Sequence, residues 1–111
     1  MSMIHHRERL VAALAVAERI AETAPDVPVS ISTQRGLRSS DYDTVGVVVH
    51  CHPADDIHAF AAAFGVPVLE TPREFDGDEF VVVEAFGELD GVQWRVWAHA
   101  NVMAPSEAVA A

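Results

Sequence analysis

The amino-acid sequence predicts an α+β fold: a two-layer sandwich in which both helices cover one face of a mostly antiparallel, four-stranded sheet. Three observations lead to this prediction. Two segments carry apolar residues at helical spacing, four segments have the composition and alternation of strands, and the pair Asp90-Gly91 joins the last two of these strands. The predicted order is therefore helix, strand, strand, helix, strand, strand, whereas the order of the strands within the sheet does not follow from the sequence.

The first helix is predicted over Met3–Ala24. Its apolar residues recur at three- and four-residue steps and form one alanine-rich stripe, which allows a close approach to a sheet. Pro25 and Pro28 end the helix. The residues expected to be buried along the stripe are Leu10, Ala13, Leu14, Ala17, Ile20, Ala21 and Ala24.

Two strands are predicted next, over Val27–Thr33 and Thr44–Cys51, and they are expected to pair as a hairpin. Alternation places Val29 and Ile31 towards the core, and Pro28 indicates an edge position for the first strand. In the second strand, alternation separates two sets of residues. One face is expected to hold Val45, Val47, Val49 and Cys51, and the other Gly46, Val48 and His50.

The predicted loop over Gln34–Asp43 holds the locally basic patch of the chain. We expect Arg35 and Arg38 to contact a phosphate or an acidic partner, although an ordinary exposed loop would have the same composition. Long loops within compact domains are frequently functional, which favours keeping both arginines among the candidate binding residues.

A second helix is predicted to begin at His52–Asp56, because proline and two aspartates suit the first helical turn. Gly65 suits the position after the last turn. The segment Val66–Leu69 is interpreted as a short strand or an extended link, and Thr71–Asp78 as a second acidic loop. The expected buried stripe of the helix consists of Ile57, Phe60, Ala61 and Phe64.

The segment Asp78–His99 predicts a β-hairpin, since Asp90-Gly91 suits a type I′ turn between two runs of β-branched and aromatic residues. A two-residue turn fixes the register. The apolar face then pairs Leu89 with Val92, Gly87 with Trp94, Ala85 with Val96 and Val83 with Ala98. On this face we expect Trp94 to cover the bare backbone at Gly87.

The other face of this hairpin carries the predicted binding site. It combines aromatic side chains with an arginine, residue types that are enriched at protein interfaces. Arg95 lies diagonal to Glu84 or Glu88, within reach of a charged pair. Another protein, a second copy of the chain, or another part of the same chain such as its C-terminal tail could cover the face. The predicted binding residues here are Phe80, Glu84, Phe86, Arg95 and Trp97.

His50, His52 and His99 form a candidate transition-metal site, because imidazole is an ordinary ligand of zinc and related metals. Their spacing matches no zinc motif, and the alternative is that His52 caps the second helix while His50 lies on a solvated strand face. Cys51 continues an apolar strand face, which favours a small buried side chain over a nucleophile. The sequence predicts no cofactor.

The composition favours some partners over others. The 111 residues suggest one domain over residues 1–111, with 101–111 as a frayed tail. There are 17 acidic residues, 7 arginines and no lysine, for a formal net charge of −10. This charge disfavours direct nucleic-acid binding and anionic membranes. A single cysteine and the absence of a long apolar run predict a cytoplasmic protein without an intrachain disulfide.

Taken together, these features predict a small acidic protein-interaction module that contacts a partner or itself through the outer sheet face. A role as an accessory protein or inhibitor of a phage or mobile element is compatible with its size. Two alternatives remain open at this point: a small metal-dependent enzyme that uses the histidines, and an acidic mimic of nucleic acid that binds a basic protein.

Overall fold

The computed structural model describes residues 3–25, 28–37 and 43–101. It confirms the α+β class. Within these residues the chain forms two helices and five strands: α1 (Met3–Thr23), β1 (Ser30–Arg35), β2 (Val45–His50), α2 (Asp55–Phe64), β3 (Leu69–Phe75), β4 (Asp78–Leu89) and β5 (Val92–Asn101).

The strands form one mixed sheet in the order β1-β2-β5-β4-β3. The pairs β1–β2, β3–β4 and β4–β5 are antiparallel, and β2–β5 is parallel. The predicted four-stranded sheet is therefore wrong in its number of strands. A two-stranded unit and a three-stranded unit meet side by side at β2 and β5, which run in the same direction.

The strand missing from the prediction is β3, which occupies most of the predicted acidic loop. It pairs with β4 across Asp76-Gly77, where both residues have positive φ, 51° and 84°. These values suit a type I′ turn, which needs a left-handed conformation at both central positions. Pro72 is tolerated because β3 is an edge strand, where a missing backbone donor breaks no ladder.

The predicted β4–β5 hairpin is confirmed in its turn and its register. Leu89 pairs with Val92 across Asp90-Gly91, whose φ values are 51° and 79°. Further along the hairpin, Gly87 pairs with Trp94. A Cβ at Gly87 would lie 2.5 Å from Cε2 and 2.9 Å from Cη2 of the Trp94 ring, so the indole does cover this glycine.

Both helices pack on the apolar side of the sheet, where one core cluster joins them to β2, β4 and β5. Trp94 is central to it, since its ring meets Phe60 and Phe64 of α2 edge-on at centroid distances of 5.5 and 5.3 Å. The buried residues of this cluster are Ala13, Val16, Ile20, Val47, Val49, Cys51, Ile57, Phe60, Ala61, Val83, Ala85, Val92, Trp94, Val96 and Ala98.

The helix α1 is rotated relative to the predicted stripe. Val16 is buried, whereas Leu10 and Leu14 of the predicted stripe are 40% and 53% exposed. Ala21 is exposed as well. The predicted stripe was wide, and packing against the sheet buries only the flank of the helix centred on Ile20.

Three other boundaries differ from the predictions. The helix α2 begins at Asp55 rather than His52, with Ala54 as its N-cap, and Gly65 ends it in the predicted left-handed conformation at φ 69°. Strand β1 extends to Arg35, which was predicted to lie in the loop, while Val29 precedes the strand and is 60% exposed instead of turned inward.

At the C-terminal end, β5 includes Asn101, the first residue of the predicted tail, and residues 102–111 lie outside the described residues. Neither of the two described helices is long and apolar enough to cross a membrane.

Candidate interaction face

The side of the sheet opposite the helices is called the outer face here. Strand pairing identifies it, because His50 pairs with Trp97, Trp97 with Glu84, and Glu84 with Leu69. Residues paired across neighbouring strands project on the same side of a sheet. Ser30 of β1 pairs with His50 in turn, so the outer face carries side chains from all five strands.

An aromatic stack lies at the centre of the outer face. The rings of His50 and Trp97 are stacked, with centroids 4.2 Å apart and planes at 11°. The His99 ring lies beside this pair, with its centroid 6.2 Å from Trp97 and 6.5 Å from His50. Phe80 meets His99 edge-on at 6.2 Å. The close stacking follows from the parallel pairing of β2 with β5, which places the His50 imidazole directly beside the Trp97 indole.

A charged pair borders the stack. Arg95 Nε donates a hydrogen bond to Glu84 Oε2 at 2.7 Å, and the two side chains are 28% and 18% exposed. The Arg95 guanidinium also lies over the Trp97 ring, 5.3 Å from its centroid. The carboxylate and the indole thus hold this arginine in one orientation. The predicted diagonal pairing is confirmed with Glu84 as the partner.

The structure adds two exposed apolar residues to the predicted set. Leu69 and Phe75 lie on β3, pair with outer-face positions of β4, and are 48% and 75% exposed. Alternation was not predicted here, because Phe75 lies in the predicted acidic loop Thr71–Asp78 and Leu69 in the segment interpreted as a short strand or an extended link. The available signal was Asp76-Gly77, the same turn dipeptide that identified the other hairpin.

The large side chains of the outer face differ in exposure. In the part of the chain that the structure describes, Phe80, Phe86 and Trp97 are half-buried among their neighbours, and His99 is exposed. At one end of the face, the side chain of Leu37 covers Gly46 of β2. Leu37 is buried there but does not belong to the core cluster. The open part therefore begins beyond this residue and extends towards Phe75 on the far strand.

The outer face is less acidic than the protein as a whole. Its charged side chains are two arginines, Arg73 and Arg95, and three acidic residues, Asp78, Glu84 and Glu88. The formal net charge of the face is therefore −1, compared with −10 for the whole chain. Such a face does not repel another protein as strongly as the remaining surface does.

The histidine site is only partly assembled. His50 and His99 come together in the aromatic stack, but residues 3–25, 28–37 and 43–101 contain no group of three or more His, Cys, Asp or Glu side chains placed to hold a metal ion. His52 is exposed beyond the end of β2. The metal site that includes it stays a prediction.

The predicted arginine patch is separate from the outer face. Arg35 projects on the helix side, paired with Val45, and its Nη2 lies 3.4 Å from Nε2 of His6, which in turn lies 3.3 Å from Asp43 Oδ1. Arg38 falls outside the described residues. Cys51 is buried in the core, as expected for a small apolar side chain.

A cleft of about 390 Å³ lies where the β4–β5 turn faces α1. Arg9, Leu37, Asp90 and Gln93 are among its lining residues, and none of the predicted site residues lines it. The predicted binding residues of the last hairpin are instead gathered on the flat outer face.

The aromatic stack and the charged pair restrain the side chains at the centre of the outer face. Stacked rings and a braced arginine have little conformational freedom to lose on binding, which makes them effective anchors. Comparison of the chain with family models, curated proteins and solved structures gave no match.

Proposed function

We propose that the chain is a cytoplasmic protein-interaction module whose outer face binds the surface of another protein. The observation that carries this proposal is the aromatic stack, in which the half-buried Trp97 ring contacts the His50 ring at 4.2 Å and the Arg95 guanidinium at 5.3 Å. Tryptophan and arginine are among the residue types that most often dominate binding energy at interfaces.

Two further features support a protein as the partner. Leu69 and Phe75 add two exposed apolar side chains to the same face, at opposite ends of β3, and exposed apolar surface on one face of a folded protein marks interaction sites. The acidic chain disfavours nucleic acid as a direct partner. Self-association through the same face, the metal-dependent enzyme and the nucleic-acid mimic remain predictions that no specific observation favours.

Site-specific photo-crosslinking in cells that express the chain tests the proposal. A photoreactive amino acid at His99, which is exposed on the outer face, is expected to trap a discrete partner protein. The same group at His58, exposed on α2, serves as the matched control and is expected to trap nothing comparable. Equal products from both positions, or none from His99, would contradict an outer-face interface.

Calorimetry on the purified pair then measures the anchor. Trp97→Ala is expected to weaken binding by about 30-fold or more, the size of an interface hot spot. His58→Ala is expected to leave the affinity unchanged. A thermal melt of each variant shows that the protein is folded, and a folded Trp97→Ala variant with wild-type affinity would refute the role of the stack.

A further inference from the structure

Helix α1 carries a row of exposed residues on the side away from the sheet, called the exposed stripe here. The stripe consists of Arg7, Val11, Leu14 and Glu18. These residues follow one another at steps of four, three and four, which places all of them within about 60° of each other around the helix axis. The buried residues Ala13, Val16 and Ile20 lie on the opposite side of the helix. The stripe is therefore open to contact with another molecule.

The centre of the exposed stripe is apolar. Val11 and Leu14 are 58% and 53% exposed, and Leu10 beside them is 40% exposed. Leu14 neighbours both of the others, since it follows Val11 by three residues and Leu10 by four. Among the described residues, α1 thus holds three of the six large apolar side chains that are exposed. Exposed apolar surface that is gathered in this way marks interaction sites on folded proteins.

Charges of opposite sign lie at the two ends of the exposed stripe. Arg7 and Glu18 are exposed, and in the part of the chain that the structure describes neither forms an ion pair or a hydrogen bond. An arginine in the N-terminal half and a glutamate in the C-terminal half are the reverse of the order that the helix dipole favours. The stability of α1 alone therefore does not explain this order of charges.

The exposed stripe is complementary to a reversed copy of itself. The midpoint between Arg7 and Glu18 in the sequence is also the midpoint between Val11 and Leu14. In an antiparallel pair of α1 helices with a two-fold axis through this midpoint, Val11 of each copy would meet Leu14 of the other. Arg7 would meet Glu18 twice, once on each side of the axis. A second copy therefore supplies an apolar centre and an opposite charge at both ends.

The net charge of α1 also favours a second copy as the partner. The whole chain has a formal net charge of −10, whereas α1 contains three arginines and three glutamates and has a net charge of zero. Two acidic chains repel each other least where the surfaces that meet are neutral. The helix meets this condition over its full length, and the exposed stripe meets it with one positive and one negative side chain.

We propose that two copies of the chain associate through the exposed stripe, with their α1 helices antiparallel and the helix axes about 8–10 Å apart. The stripe and its borders provide far fewer residues than the roughly 20–30 that each partner contributes to a standard interface, so the expected dimer is weak. The stripe and the outer face lie on opposite sides of the protein. The proposal therefore does not depend on the proposed function.

Sedimentation equilibrium at loading concentrations from the micromolar to the millimolar range measures the dimer. The apparent mass of the wild type is expected to rise with concentration from the chain mass of 12.0 kDa towards twice that value. Leu14→Glu places a carboxylate of each copy in the apolar centre and is expected to weaken the dimer by about tenfold or more. Ala62→Glu, which adds the same charge at an exposed position on α2, is the matched control and is expected to keep the wild-type affinity.

A charge exchange separates the proposed contact from a loss of folding. Arg7→Glu and Glu18→Arg are each expected to weaken the dimer by about tenfold, because each places like charges together at both ends of the contact. The double variant Arg7→Glu/Glu18→Arg is expected to recover the wild-type affinity. The proposal is overturned by a wild type that stays monomeric, by a double variant that does not recover, or by a dimer that Trp97→Ala dissociates and Leu14→Glu does not.

Discussion

Replacement of Gly87 by alanine tests how tightly the sheet and the helices are joined. The new Cβ would lie 2.5 Å from Cε2 of Trp94, well inside van der Waals contact. The indole has little room to move, since it is 1% exposed and two phenylalanine rings of α2 confine it. Overpacking usually costs 1–3 kcal/mol, so we expect Gly87→Ala to lower the free energy of unfolding by about 3 kcal/mol.

Urea denaturation followed by far-UV circular dichroism measures this loss. Trp94→Phe provides the second side of a double-mutant cycle, because the smaller ring leaves room for the added methyl group. The double variant is expected to be more stable than the sum of the single effects predicts, by about 1 kcal/mol or more. Glu88→Ala, at the exposed neighbouring position, is the control and is expected to change stability by less than about 0.5 kcal/mol.

Two results would refute the reasoning. A Gly87→Ala variant within about 0.5 kcal/mol of wild type would show that the sheet or the indole moves aside at low cost. Strict additivity of Gly87→Ala and Trp94→Phe would show that any loss arises elsewhere, for example from the backbone preference of the strand, and not from the contact between the two residues.

Two other substitutions have expected effects that follow directly from burial. Phe60→Ala removes a core ring that is 2% exposed, and it is expected to lower the free energy of unfolding by about 3–5 kcal/mol. Phe75 is 75% exposed, so Phe75→Ala is expected to lower it by less than about 0.5 kcal/mol. Equal losses in urea denaturation would contradict the core described above. A double-mutant cycle of Arg95→Ala and Glu84→Ala is expected to give a coupling energy of about 1 kcal/mol, and no coupling would show that the half-buried pair is not maintained in solution.

The sequence was sufficient to predict the β4–β5 hairpin. Asp90-Gly91 restricts the turn, and the two-residue turn leaves one register, in which Trp94 and Val96 lie on the same buried face. The segment Asp76-Gly77 carries the same turn signal, but its strand β3 lies beyond the cover of the helices. Its residues are nearly all exposed and show no apolar alternation, so the local pattern resembled a loop.

The centre of the outer face could be predicted only in part. Arg95, Trp97 and Glu84 belong to one hairpin, where the turn determines which side chains meet. The position of His50 beside Trp97 depends on the parallel pairing of β2 with β5, which no local signal encodes because a helix and two strands separate them. Leu14 illustrates a similar limit, since helical spacing defines a wide apolar stripe but not the flank that faces the sheet.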